Sequence, residues 1–387
     1  MPSGLRWVAR HSPHRAWLPA PCRLFLTETT MEKHAPHFCT DRVLPREQMR
    51  FQSTVRRNGR TQALMPIGKV WMNGSTLRVR FMGGTSAQQA KAKEQALWWT
   101  QFANLAFEFS DAPDAEIRIA FDPGDGAWSY IGTDNRSIPL NQPTMNLGFM
   151  DGGTAAHEFG HAIGLAHEHQ NPAGGMEWNE AVVIQSLQGP PNHWDEATIR
   201  HNVLRKYQVS QVHGTAFDPD SIMLYFFPGS WVQSGVGTHA NEVLSAMDKA
   251  YIASAQAYPK TGPTVLDAVD LKVGAARRTA ARIGQAGEED LFRFEVKEGG
   301  NHVIDTKGPT DVVMRLFGPD SHTNVVAEDD DSGTGTNARI LASLVPGQYH
   351  AQVRHYNRAH GTGEYCAVTR NAADLGDNCG NIFPVYL

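Results

Sequence analysis

The chain has 387 residues, enough for two domains and a sizeable buried core. Its 41% hydrophobic and 19% charged residues suit a globular protein, and a net charge of -5 offers no basis for a nucleic-acid partner or an anionic membrane surface. No stretch approaches the roughly 20 apolar residues of a membrane helix, so no membrane span is expected.

Residues 1–62 are rich in Arg, His and Pro and lack sustained periodicity, which reads as a poorly ordered leader or pro-segment. The run AWLPAPCRLFL is too short and interrupted for a good signal-peptide core, and Met31 is an alternative start. Leu77–Phe81 alternates apolar and charged residues as a half-buried strand does. Ser86–Phe109 is rich in helix formers, with Ala90, Leu97, Trp98, Phe102 and Leu105 on one side. Glu116–Phe121, Trp128–Gly132 and Thr144–Phe149 are further strand candidates, and Gly153–Gly164 reads as a helix. Residues 170–258 are richer in loops and end in a helical segment at Leu244–Ala257. This order suits a mixed sheet backed by two helices.

A Pro- and Gly-punctuated linker at 261–263 ends the domain expected over 63–260. Beyond it, DLFRFEV, NHVIDT, VVMRLFG, ARILASL and QYHAQVRHY are short strands at fairly regular spacing. They predict an all-β sandwich over 264–370 and a tail at 371–387. The fold class is therefore α+β followed by a small all-β domain. Cys22, Cys39, Cys366 and Cys379 allow more than one pairing; Cys366 and Cys379 are close enough in sequence to close a short loop.

The chemistry concentrates in HEFGHAIGLAH, His157 to His167. Two histidines four apart on a helix share a face, so His157 and His161 can reach one ion. Glu158, one step round, can reach a water on that ion without ligating it. Gly164 tolerates the left-handed backbone that ends a helix and would bring His167 back to the same ion. Three neutral imidazoles leave one tetrahedral position for water, the open arrangement of catalytic zinc. One Zn2+ is the expected cofactor, with Glu158 as the general base for water attack. A GxSxG elbow, a phosphate-binding GxxxxGK[ST] loop and a CxxC pair are all missing from the sequence.

HExxHxxGxxH is the metzincin signature, and metzincins add a downstream Met-turn. Asp218–Tyr225, DPDSIMLY, supplies one, with Met223 beneath the metal. Ser221, Met223 and Tyr225 resemble the Ser-x-Met-x-Tyr of astacins. That resemblance, over roughly 63–260, implies a twisted sheet with a backing helix, an active-site helix and a lower Met-turn subdomain. It implies that Tyr225 ligates zinc at rest and swings to bind the tetrahedral intermediate; a packed aromatic is the alternative. It also implies that Glu168 meets the mature N-terminus. The chain departs from animal astacins at Glu168–Pro172, EHQNP, and at Leu224, and is closer to a microbial astacin-like group. His169 reads as a support behind the ligands or as a surface residue.

Metzincins bind peptide along an edge strand, and Trp128–Asp134 is the candidate here, against the reading of an ordinary paired strand. Phe226–Trp231, FFPGSW, lines either the primed side or the core. A Cys39 thiolate on the metal is a candidate for latency. GEEDLFRFEV, PTDVVMRLFGPD, EDDDSGTGTNARI and PGQYHAQVRHY resemble the bacterial prepeptidase C-terminal domain, whose role is accessory. Glu328–Asp331 reads as a solvated acidic turn; Ca2+ there is compatible with the residue types but unsupported by EF-hand spacing. The expected whole is a secreted or extracytoplasmic monomeric zinc metalloendopeptidase acting on proteins or peptides. The competing readings are a zinc hydrolase of cell-wall peptides, disfavoured by the intact Met-turn and tyrosine, and an adhesion protein with a vestigial site, disfavoured by Glu158.

Overall fold

The computed structural model describes residues 40–41, 69–171, 174, 176–189, 193–206, 216–254, 256–260, 264, 267–357 and 360–375. Most of the expected leader, together with Cys22, Cys39 and Cys379, lies outside the described residues. The first domain is built on a six-stranded sheet ordered β1-β5-β6-β4-β2-β3. Its strands are Thr40–Asp41 (β1), Thr76–Phe81 (β2), Ala106–Phe109 (β3), Ile117–Ala120 (β4), Ala127–Ser129 (β5) and Met145–Leu147 (β6). All neighbours run parallel except β5 and β6.

Helix α1 spans Ser86–Thr100, and Thr85 with Gln88 forms a reciprocal capping box at its start. It stops well short of Phe109. Ala103 N bonds back to Trp99 O, and the alternating AFEF that follows becomes β3 beside β2. An open sheet edge and a period of two outweigh helix propensity there. The buried face also differs from expectation: α1 buries Ala92, Gln95, Ala96 and Trp99, leaving Leu97 48% exposed. The reason is tertiary, because Gln95 and Trp99 bond the backbone of α2. The expected strand after Trp128 ends at Ser129 and gives way to a 3-10 turn at Gly132–Ser137.

Helix α2, Thr154–Ala162, lies in the same core as the sheet and α1, with Phe159 against Phe107. Below it, α3 (Glu180–Gln188), α4 (Glu196–Ile199) and the aromatic residues Trp178, Phe227 and Trp231 form a second core. Helix α5, Ala246–Ile252, is shorter than Leu244–Ala257 and starts at a Ser245 cap.

The C-terminal domain is a sandwich of two sheets, ordered β12-β11-β14-β9-β7 and β13-β10-β15-β8. The strands are Val269–Asp270 (β7), Thr279–Ile283 (β8), Glu289–Val296 (β9), Gly300–Lys307 (β10), Val312–Phe317 (β11), Val325–Asp329 (β12), Arg339–Leu344 (β13), Gly347–His355 (β14) and Gly363–Asn371 (β15). The short strands expected from the sequence are β9, β10, β11, β13 and β14. The others carry weaker or shorter apolar alternation. Cys366 on β15 is a free thiol whose Sγ donates to Lys307 O. Among the described residues, no helix is long and apolar enough to cross a membrane.

The acidic run is a solvated turn only in part: Asp331 is exposed, while the three residues before it turn inward. Glu328 accepts from the buried Arg315, and Asp329 accepts from Ser332 N and Arg339 N. Asp330 is buried, and desolvation with Asp331 and Asp329 nearby pushes its carboxyl up to about 6. Folding of the β12–β13 connection back onto Arg315 and β13 draws these carboxylates inward.

Candidate metal centre

The site begins with the anchoring of α2 at both ends. Its first amides and last carbonyls have no partner within the helix. Gln95 Oε1 accepts from Ala156 N at 3.0 Å, and Gln95 Nε2 donates to Gly152 O at 2.7 Å. At the far end Trp71 Nε1 donates to Ala162 O at 2.8 Å and the Tyr258 hydroxyl to Ile163 O at 2.6 Å. The helix is thus clamped by buried side chains from three separate parts of the chain.

His157 and His161 share one face of α2. The helix ends at Gly164, whose φ of 109° suits glycine, and the chain turns to bring back His167. All three rings are buried, and their ligand atoms lie within 4.8 Å of one another. His161 Nε2 is 3.1 Å from His157 Nε2 and 3.0 Å from His167 Nε2. His157 Nδ1 bonds Ile222 O at 2.7 Å and His161 Nδ1 bonds Leu165 O at 2.8 Å. A carbonyl only accepts, so each Nδ1 carries the proton and each Nε2 presents a bare lone pair.

Converging lone pairs repel unless a cation sits between them. Ligands about 2.05 Å from a tetrahedral zinc stand roughly 3.3 Å apart, close to the separations here. The donor set fits one zinc ion. Glu158 is fully buried beside them. The Tyr225 hydroxyl is hydrogen-bonded with His167 Nε2. The structure therefore brings together His157, Glu158, His161, Gly164, His167, Met223 and Tyr225 from the positions the motif assigned.

Met223 lies under α2 in the main core. A Cβ on Gly160 would overlap the Met223 sulfur and stand 3.0 Å from the Trp99 ring. Gly160 is thus a requirement of the Met-turn that the metal spacing alone does not announce. Behind the three histidines, His169 is buried rather than superficial, stacked on His167 at 5.2 Å and bonded through Nε2 to Asn202 O at 2.9 Å. Glu168 accepts from Asn171 Nδ2 at 2.9 Å and Asp218 N at 3.0 Å, and burial pushes its carboxyl up to about 7. Of FFPGSW, Phe227 and Trp231 belong to the lower core and Phe226 stays 44% exposed. The outer edge of β5 is paired, parallel, with Thr40–Asp41.

Residues 65–233 match the peptidase family described as Astacin, and residues 288–355 match the bacterial pre-peptidase C-terminal domain. The structure of myroilysin is 37% identical in sequence and covers 50% of this chain and 97% of its own, with a TM-score of 0.47. Metallopeptidase AprA of Pseudomonas marginalis is 27% identical over 156 residues, 34% of this chain and 32% of its own length. Human matrix metalloproteinase-20 is 31% identical over 139 residues, 27% of this chain and 29% of its own length. The match thus spans about a third of each curated relative. The chain belongs to the astacin family of zinc metallopeptidases, with a metzincin-type catalytic domain followed by a pre-peptidase C-terminal domain.

Proposed function

We propose that this protein is a zinc-dependent endopeptidase that hydrolyses peptide bonds of proteins. His157, His161 and His167 hold the metal, Glu158 is the general base, and Tyr225 stabilises the transition state. Met223 and Gly164 shape the site. The observation that carries the reading is the convergence of three buried imidazole nitrogens, two with Nδ1 already committed to a carbonyl.

A zinc ion held there supplies a Lewis acid that polarises the scissile carbonyl and acidifies a water toward a pKa of about 7. Glu158 takes the proton of the attacking water and passes it to the leaving amine. Its fixed place on α2, next to His157, keeps the carboxylate beside the reacting atoms. The Tyr225 hydroxyl leaves His167 and donates to the oxyanion as charge develops. Its backbone is held meanwhile by Thr238, whose hydroxyl donates to Tyr225 O and accepts from Phe227 N at 2.7 Å. Substrate adds as a strand to the outer edge of β5, where backbone groups bind any extended peptide. Thr40–Asp41 of the leader uses that same edge, which supports reading residues 1–62 as a pro-segment whose removal exposes the cleft. A peptidase domain followed by a pre-peptidase C-terminal domain supports an extracytoplasmic location, and we read the protein as a monomer.

Digestion of denatured casein tests the reading. Full activity is expected to vanish with a zinc chelator and return with zinc. Glu158→Ala is expected to retain zinc and lose about 10²–10⁴-fold in kcat. Chelator-resistant cleavage, or an active Glu158→Ala protein, would refute it.

A further inference from the structure

The capping of α5 does more than start a helix. Ser245 and Asp248 form a capping box: Asp248 N donates to Ser245 Oγ at 2.8 Å, and Ser245 N to Asp248 Oδ2 at 2.9 Å. A box of this kind needs a single acceptor from the Asp248 carboxylate. Asp248 makes two further bonds that the cap does not explain. Its Oδ1 accepts from the Ser221 hydroxyl at 2.7 Å and its Oδ2 from Ile222 N at 2.8 Å. Both donors lie in the Met-turn, 27 and 26 residues away in sequence.

Ile222 is the residue whose carbonyl accepts from His157 Nδ1. The Ser221 hydroxyl oxygen in turn accepts from Met223 N at 3.0 Å. One buried carboxylate therefore grips the two residues before Met223. The Met-turn, a loop with no strand or helix of its own to hold it, gains a fixed position from α5. The imidazole of His157 takes its tautomer and ring angle from a carbonyl held in this way.

We propose that Asp248 is a positioning residue of the metal centre, fixing Ser221 and Ile222 so that the Ile222 carbonyl orients His157 for the ion. The relay is carboxylate to turn backbone to imidazole, one step longer than the direct carbonyl or carboxylate partner that metal-ligating histidines use. It rests on the reading of His157 as a zinc ligand.

The test is zinc affinity, measured on the full chain by competition with a chromophoric chelator. Asp248→Ala is expected to raise the zinc Kd about 10-fold or more, the range seen when partners of ligating histidines are lost. Asp248→Asn, which keeps an acceptor oxygen and can donate to the Ser221 hydroxyl, is expected to recover most of that loss. Ser245→Ala removes the hydroxyl that caps α5 and that donates to Asp218 Oδ2. It leaves the Asp248 bonds to the turn, so it is expected to lower the melting temperature and spare zinc affinity. The His157 Nδ1–H resonance should shift in Asp248→Ala and stay in place in Ser245→Ala. Wild-type zinc affinity in Asp248→Ala, with a lowered melting temperature, would overturn the proposal and leave Asp248 a helix cap. Should Asp248→Ala fail to fold, Ser221→Ala removes one bond of the relay and is expected to weaken zinc measurably; unchanged affinity there overturns the proposal equally. Failure of the underlying reading has another signature, a wild-type chain that binds no stoichiometric zinc.

Discussion

At the scale of single residues, the metal motif is a set of spacings that helix geometry turns into coordinates. His157 and His161 share a face because a turn is 3.6 residues long, and Gly164 ends the helix because its φ of 109° suits a residue without Cβ. These features are local, so they were legible in the chain. Gly160 was not, although it sits inside the motif. Its lack of a side chain is set by Met223 and Trp99, which arrive from distant sequence. Gly160→Ala is expected to destabilise the protein by about 1–3 kcal/mol through overpacking, despite alanine's higher helix propensity. Thermal unfolding checks this; a variant as stable as the parent would mean that Met223 does not pack against α2.

At the scale of elements, secondary structure follows local pattern until a partner intervenes. The run from Ser86 onward splits into α1 and β3 because β2 offers an edge beside Ala106–Phe109. The buried face of α1 is chosen by α2, through Gln95 and Trp99, rather than by apolarity. In the sandwich, the Tyr365 hydroxyl on β15 donates to Asp290 Oδ2 on β9 at 2.7 Å and so joins the two sheets. Desolvation pushes the Asp290 carboxyl up to about 6 from an ordinary 3.8. The folded state therefore holds a proton that the unfolded chain has already released. The resulting stability is complete below about pH 4 and is lost as pH rises through about 6. Asp290 is half-buried, so solvent screening reduces the effect to on the order of 1 kcal/mol. Asp290→Asn keeps an acceptor for Tyr365, and it should remove this decline and melt higher than the parent above pH 6. Parallel melting curves from pH 4 to 7 would contradict the assignment.

At the scale of the whole molecule, the two domains share a buried contact. Phe317 and Leu291 of the sandwich pack with Met72 of the catalytic domain. Arg315 Nη1 donates to Val70 O at 3.1 Å, and the Thr323 hydroxyl to Glu116 Oε1 at 3.0 Å. The Glu116 carboxylate also pairs with Arg78 and Arg136, and against the cost of burial the hydrogen bonds and charge of Arg78 hold it below the ordinary range. The Val70–Met72 segment that the sandwich touches also carries Trp71, the clamp on the end of α2. Phe317→Ala is expected to cost about 3–5 kcal/mol, as for other buried aromatic truncations. Calorimetry should then resolve separate domain transitions where the parent gives one; an unchanged single transition would argue against a shared core.

The sequence by itself determined the spacing that gathers His157, His161 and His167, the Met-turn, and the succession of a mixed catalytic domain and an all-β domain. Each is encoded in spacing or periodicity over a few residues, and the geometry of a helix turn or a pleated strand translates such patterns without further information. Tertiary structure alone decided which face of α1 is buried, why Gly160 has no side chain, that Asp248 reaches the Met-turn, that Thr40–Asp41 lies on β5, and where the sandwich docks. Those features depend on pairs of residues brought together from far apart in the chain. Such a pair leaves no local pattern, because its free energy exists only once the intervening chain has folded.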